Sequence, residues 1–254
     1  MTNTIMRTGF KTDGFTVVRD VATGPALDQL RQVAGRLEDK ARSLARSTDD
    51  FVLEAEGAGG WVAWQQGNAA LAGVLRSVSN AHSHEPDLLR IAEDIRLADS
   101  ILAVTGYSRI SIVNVFLWAK PQRVGSAKPW HQDMAFAPPG FTKEHDNVIT
   151  VWLALDPATR ANGCLEFVAG SHQLGLLPHD GDTERTQDQP RAEQAVEPHV
   201  DLGHVLPQAQ PVPVTLDPGS AVMFDGMILH RSAANTADSP RRAISYVYAI
   251  TKEG

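Results

Sequence analysis

Ile110-Ser111-Ile112-Val113-Asn114-Val115-Phe116-Leu117-Trp118 is the stretch on which the fold turns. A run this rich in β-branched and aromatic residues reads as a strand. Five more segments of the same character follow it, at residues 148–155, 164–168, 212–216, 220–224 and 243–250. Most are bounded by Gly, Pro, Asn or Asp, which close strands in turns. Upstream the period changes. From Pro25 to about Arg46, the residues Leu27, Leu30, Val33 and Leu37 recur at helical spacing, and Pro25 suits a first turn. Residues 68–78 form a second helix candidate and residues 85–104 a third, with Gly106 as its stop. Residues 51–54 and 61–64 are short strand candidates. Helices come first and strands after, without βαβ alternation. That pattern argues against a doubly wound sheet and predicts a mainly β sandwich or barrel with flanking helices.

The chain has 254 residues, 43% of them hydrophobic and 21% charged, enough for one large domain with its own core. The expected organisation is a helical N-terminal portion to about residue 108 and a β core over about 109–250. A polar, lid-like insert at about 178–210 interrupts that core. The net charge of -7 and the lack of a dense Lys/Arg block exclude a nucleic-acid or membrane-surface footprint. Cys164 is the one cysteine, so no internal disulfide supports the fold. The first residues lack the apolar core of a signal peptide, and no apolar run is long enough to span a bilayer. A cytoplasmic enzyme is the expectation, with a homodimer left open.

Trp130-His131-Gln132-Asp133-Met134 carries the chemistry. On a strand, residues i and i+2 share a face, so His131 and Asp133 put an imidazole beside a carboxylate. Alone, His-x-Asp is a weak signal, since chance pairs make ordinary hydrogen bonds. His230, at the end of the apolar run from Met223, offers a second imidazole. Two histidines and one carboxylate with open positions are the donor set of non-haem iron(II) oxygenases. Eleven residues further on stands Arg241, after a turn-like stretch. If the next strand returns antiparallel beside the one ending at His230, Arg241 sits one strand from the metal. There its guanidinium would clamp the far carboxylate of a 2-oxo dicarboxylate, with help from the Ser232 hydroxyl. Arg242 is the competitor. Adjacent strand residues face opposite sides, and Arg241 shares its face with the small Ala243 and Ser245, whereas Arg242 goes with Ile244, Tyr246 and Tyr248.

With these residues in place the sequence resembles the phytanoyl-CoA dioxygenase family of 2-oxoglutarate oxygenases. The resemblance runs from about Asn114 to Tyr248. It rests on Asn114 with Lys120-Pro121, Trp130-His131-Gln132-Asp133, Val151 to Asp156, Asn162-Gly163-Cys164-Leu165 and Gly170-Ser171-His172. Gly219-Ser220, Phe224-Asp225, His230-Arg231-Ser232 and Pro240-Arg241 complete it. The family implies a double-stranded β-helix (a cupin-like jelly-roll) and the use of Fe(II), 2-oxoglutarate and O2. It implies that His131, Asp133 and His230 hold the metal and that Asn114, Lys120 and Trp152 border the cosubstrate. The plainer alternatives for those last three are a strand residue, a solvated lysine and a packing tryptophan. Halogenating relatives replace the metal carboxylate with a small residue. Asp133 is present, which favours hydroxylation or a related oxidation of a small molecule, as in specialised metabolism.

Candidate substrate contacts are Phe136, Trp61, Trp64, Gln65 and the polar insert, with core packing the plainer reading of Trp61 and Trp64. His145, His179, His199 and His204 read as solvated. Two other readings stay open: a zinc enzyme using the same three residues, and a jelly-roll binding protein without catalysis.

Overall fold

The computed structural model describes residues 9–54, 71–107, 109–180 and 199–251. Eleven strands among them form two antiparallel sheets. In chain order they are β1 (Phe15–Val18), β2 (Phe51–Leu53), β3 (Leu75–Val78), β4 (Ile110–Lys120), β5 (Lys128–His131) and β6 (His145–Ala154). Then come β7 (Leu165–Phe167), β8 (Val212–Val214), β9 (Ala221–Asp225), β10 (His230–Ser232) and β11 (Arg241–Thr251). The larger sheet has the order β1-β9-β6-β11-β4-β3-β2 and the smaller one β5-β10-β7-β8. Two facing antiparallel sheets make the sandwich that the strand spacing predicts and the jelly-roll that the family resemblance implies.

Period 2 divides the larger sheet between two environments. Val115, Leu117, Ile149, Val151, Leu153, Ala221, Met223, Ile244 and Tyr246 face the helices and are buried with them. The helix Pro25–Arg42 supplies Leu27, Leu30, Val33, Ala34, Leu37 and Ala41 to that layer, at helical spacing. The alternate residues Trp152, Ala154, Val222, Phe224 and Ala243 face the other way and pack against Leu165, Phe167 and Val214 of the smaller sheet. Gly219 makes the turn into β9 possible: its φ is +83°, and a Cβ there would lie 2.0 Å from the Ala22 carbonyl oxygen.

Four expectations need correction. Residues 72–78 are not helical; β3 pairs with both β2 and β4. Leu71, Leu75 and Val78 fit helical spacing equally well, but Gly73 turns the chain at φ +74° and tertiary pairing decides the rest. The helix expected at 85–104 is two helices, Asp87–Asp94 and Leu97–Thr105, because Arg96 adopts a left-handed conformation at φ 51°. No Gly or Pro marks that break. β10 and β11 are not neighbours: β10 pairs with β5 and β7, and β11 with β4 and β6. The turn-like residues 233–240 carry the chain from one sheet to the other, as in a sandwich corner. Finally, His179 is not solvated but buried, and it accepts a hydrogen bond from the Gln132 backbone N–H at 3.2 Å. The strand expected at 61–64, with Trp61, Trp64 and Gln65, lies outside the described residues.

Candidate metal and cosubstrate site

Between the sheets lies a cavity of about 940 Å³. His131 enters it from the last position of β5 and His230 from the first position of β10, and the two are register partners. Asp133 is not on the strand. It opens a 3-10 helix, Asp133–Phe136, but Gln132 keeps an extended backbone (φ -116°, ψ 135°), so residues 131 and 133 still share a face. One ligand atom from each of His131, Asp133 and His230 falls within 4.8 Å of the others. The Asp133 Oδ1 atom is 3.6 Å from Nε2 of each histidine.

Hydrogen bonds settle which nitrogen is offered. Nδ1 of His131 faces the Pro129 carbonyl at 2.8 Å, and Nδ1 of His230 faces the Ile228 carbonyl at 3.1 Å. A carbonyl only accepts, so both Nδ1 atoms carry the proton and both Nε2 lone pairs point into the shared space. Burial, followed by the charge of His131, pushes the His230 pKa down to about 3, so its imidazole is neutral. Burial alone would raise the Asp133 pKa. The adjacent His230 and His131 rings and the hydrogen bond from Thr150 outweigh it and hold the carboxyl below its ordinary value. Two imidazoles offering Nε2 and one carboxylate suit a divalent cation.

Thr150 was not singled out from sequence. Its hydroxyl donates to Asp133 Oδ2 at 2.7 Å, which leaves Oδ1 turned to the histidines. Thr150 precedes Trp152 by two on β6, and that shared face was its available signal. His230 is held by a tight turn: Met227 N–H donates to Asp225 Oδ1 at 2.8 Å, and Gly226 N–H to the Val148 carbonyl at 2.8 Å. A Cβ on Gly226 would meet Val148 Cγ2 at 2.5 Å.

Arg241 lines the same cavity, across the sandwich from β10. It is 3% exposed, and its guanidinium carbon lies 5.0 Å from the Trp152 ring centroid. Among the described residues its buried Nε and Nη1 atoms have no hydrogen-bond partner. Burial lowers its pKa to about 10, still charged at neutral pH. Arg242 points to the opposite face. There it grips Asp156 through Nε and Nη2, each at 2.9 Å, and reaches Glu38 at 3.5 Å.

Ser232, Trp152, Asn114, Lys120 and Phe136 also line the cavity. Phe136 stands edge-on to His131 at 5.6 Å between centroids. Lys120 is neither solvated nor aimed at open space. Its ammonium donates to the carbonyls of Ser126 at 2.7 Å, of Ala233, and of Ser232 at 3.4 Å. Burial, then the charge of Arg241, pushes its pKa well below that of an ordinary lysine. Asn114 uses its Oδ1 to accept from the Asn80 N–H at 3.0 Å. Residues 178–180 and 199–210, the described part of the polar insert, do not line the cavity.

The fold and donor set define a class: the jelly-roll of iron(II)- and 2-oxoglutarate-dependent oxygenases. Comparison with known proteins narrows it. The phytanoyl-CoA dioxygenase (PhyH) profile matches residues 10–243, so the chain belongs to the phytanoyl-CoA dioxygenase family. The phytanoyl-CoA dioxygenase domain-containing protein 1 of Danio rerio is 28% identical over 173 residues, which is 68% of this chain and 56% of that protein. The chain thus matches little more than half the length of that relative. The ectoine dioxygenase of Sphingopyxis alaskensis is 27% identical over 243 residues, covering 94% of this chain and 73% of the relative. Among solved structures, EvdO2 from Micromonospora carbonacea var. aurantiaca complexed with 2-oxoglutarate superposes with a TM-score of 0.70 at 25% identity. That superposition covers 96% of this chain and 89% of EvdO2.

Proposed function

We propose that this chain uses Fe(II), 2-oxoglutarate and O2 to oxidise a C–H bond of a small molecule, with hydroxylation the foremost outcome. His131, Asp133 and His230 would hold the metal; Arg241, with Ser232 and Trp152, would hold the far end of the cosubstrate. One observation carries this reading. A cavity that brings three ligand atoms within 4.8 Å also contains a buried guanidinium with two unpartnered nitrogens. A desolvated cation of that kind is costly unless an anion completes it. Zinc hydrolysis has no use for such a group, and neither does a binding protein whose metal site is vestigial.

Bound iron, with 2-oxoglutarate and O2, supplies the oxidising power, and the cosubstrate leaves as succinate and CO2. The chain's own residues do the rest. Asp133 is held in one orientation by Thr150, and the histidines in one tautomer by Pro129 and Ile228. Arg241 and the Trp152 face would fix the cosubstrate's length and tilt. Phe116, Trp118, Phe136 and Phe141 line the cavity as well and would present an apolar surface to the substrate while excluding water. An acidic chain without a basic block suits a small-molecule substrate in the cytoplasm, as in specialised metabolism, and neither nucleic acid nor membrane. The site draws on both sheets, which supports reading 1–254 as one domain.

Anaerobic protein with Fe(II) and 2-oxoglutarate should develop a visible charge-transfer band, and Asp133→Ala should lose succinate production. Turnover that survives Asp133→Ala would overturn the ligand assignment.

A further inference from the structure

The residues that flank the three proposed ligands have a task of their own. His131 and Asp133 face the cavity, while Trp130 and Gln132, alternating with them, face the outer side of the smaller sheet. Gln132 is 0% exposed. Its Nε2 donates to the Gly175 carbonyl at 2.9 Å and to the Met227 carbonyl. Its Oε1 accepts from the Leu177 N–H at 2.7 Å, and its own N–H donates to His179 Nε2. The His179 ring is oriented for this, because its Nδ1 donates to the Leu177 carbonyl at 2.8 Å. One side chain and one backbone N–H therefore tie together three pieces of chain: the His131–Asp133 tripeptide, the turn that delivers His230, and residues 175–179.

The far side of the polar insert docks on the same surface. Val200 N–H donates to the Trp130 carbonyl at 2.8 Å, and Asp180 and His199 bridge the two ends. Trp130, Val168, Val200 and Leu229 form a buried cluster, with Leu177, Leu202, Val205, Leu206 and Ala209 packed on it. Leu229 is the residue before His230. Each proposed histidine ligand thus has a direct neighbour in sequence that is held by this segment.

We propose that Gln132 is a positioning residue that couples the docking of residues 175–180 and 199–209 to the metal site. The segment does not roof the cavity; it braces the ligands from behind. The inference rests on His131, Asp133 and His230 binding metal. Coupling is reciprocal: if docking orders the ligands, bound metal must tighten the docked segment by the same factor. Loss of a partner that orients metal ligands typically costs 10- to 100-fold in affinity.

The test uses the full chain, with Mn(II) as a redox-silent probe, and three forms of it. The first is the unaltered protein; the second is Gln132→Met, which removes the amide bonds at similar length. The third is Val205→Ser with Leu206→Ser, which loosens the segment without touching Gln132 or a ligand. Mn(II) affinity is measured by titration, folding by thermal melting, and docking by hydrogen exchange over 199–209. Gln132→Met should weaken Mn(II) by about 10- to 100-fold. The double variant should weaken it at least about 5-fold while a cooperative melt is retained. Mn(II) should slow exchange over 199–209 in the unaltered chain, and less in Gln132→Met. Unchanged affinity in either folded variant, or exchange indifferent to Mn(II), overturns the coupling. If Gln132→Met fails to fold, the double variant decides alone. An unaltered chain that takes up no Mn(II) refutes the metal site itself, and the coupling with it.

Discussion

Replacing Arg241 with methionine should move two quantities in opposite directions. The guanidinium is 3% exposed, and its Nε and Nη1 have no partner among the described residues. Two charge-assisted hydrogen bonds to a carboxylate contribute about 1.5–3 kcal/mol each, or roughly 3–6 kcal/mol if both form. At 1.4 kcal/mol per decade, Arg241→Met should weaken 2-oxoglutarate binding by about 10²- to 10⁴-fold. The protein without metal or cosubstrate should be no less stable, and up to ~1–4 kcal/mol more stable, because a desolvated charge is replaced by an apolar chain of similar length. Affinity is read from the charge-transfer band during anaerobic titration of the Fe(II) protein, and stability from melting of the metal-free chain. Pyruvate is the control. It keeps the 2-oxo acid end but has no distal carboxylate, so its affinity should be the same in both proteins. The reasoning fails if Arg241→Met binds 2-oxoglutarate as tightly as the unaltered chain, or if pyruvate binding falls in step.

Arg242→Gln should behave in the complementary way: it breaks the paired bonds to Asp156, costing about 1–3 kcal/mol in denaturant unfolding, and leaves 2-oxoglutarate affinity unchanged. Gly226→Ala forces a methyl to within 2.5 Å of Val148 Cγ2 and should cost about 1–3 kcal/mol. Metal affinity, followed by Mn(II) titration, should fall with it because the turn delivers His230. Tyr246→Phe removes the hydroxyl that donates to the Leu88 carbonyl at 3.0 Å and should cost about 1–2 kcal/mol. Burial raises the Tyr246 pKa above its ordinary 10.0, so the folded chain keeps this proton where the unfolded chain loses it. Its contribution is complete below pH 10 and shrinks as pH rises further; Tyr246→Phe should therefore flatten the alkaline fall in stability measured by urea titration.

Much of this arrangement could be read from the chain because strands alternate strictly. The face of Arg241 followed from the small Ala243 and Ser245 beside it, and Thr150 could have been found from Trp152 by the same rule. What local pattern could not supply was which strands meet. β10 and β11 are separated by a turn-like stretch, and nothing in residues 233–240 distinguishes a hairpin from a crossing between sheets. The region around Leu75 fitted two periods, and only pairing with β4 decides between them. Lys120 and Gln132 were hidden for a different reason. Their partners are backbone atoms of Ser126, Ala233, Gly175, Leu177 and Met227, and a carbonyl has no sequence signature.

Two consecutive arginines make the underlying point about how this fold separates stability from chemistry. Arg241 and Arg242 have the same side chain and neighbouring Cα atoms, yet the pleat of β11 sends one into each layer. On the helix side, Arg242 finds Asp156 and Glu38, its charge is matched, and its pKa is raised first by the Asp156 hydrogen bond. On the cavity side, Arg241 finds Trp152 and, among the described residues, no matching carboxylate, and burial lowers its pKa. A shift of one residue in the register of β11 would exchange these environments. It would also turn Ile244 and Tyr246 toward the cavity, at a cost no local rearrangement could absorb. The apolar packing of the helix layer is therefore what keeps an unmatched cation facing the proposed ligands. Substitutions in that layer, far from any proposed ligand, should reduce cosubstrate affinity only to the extent that they loosen β11.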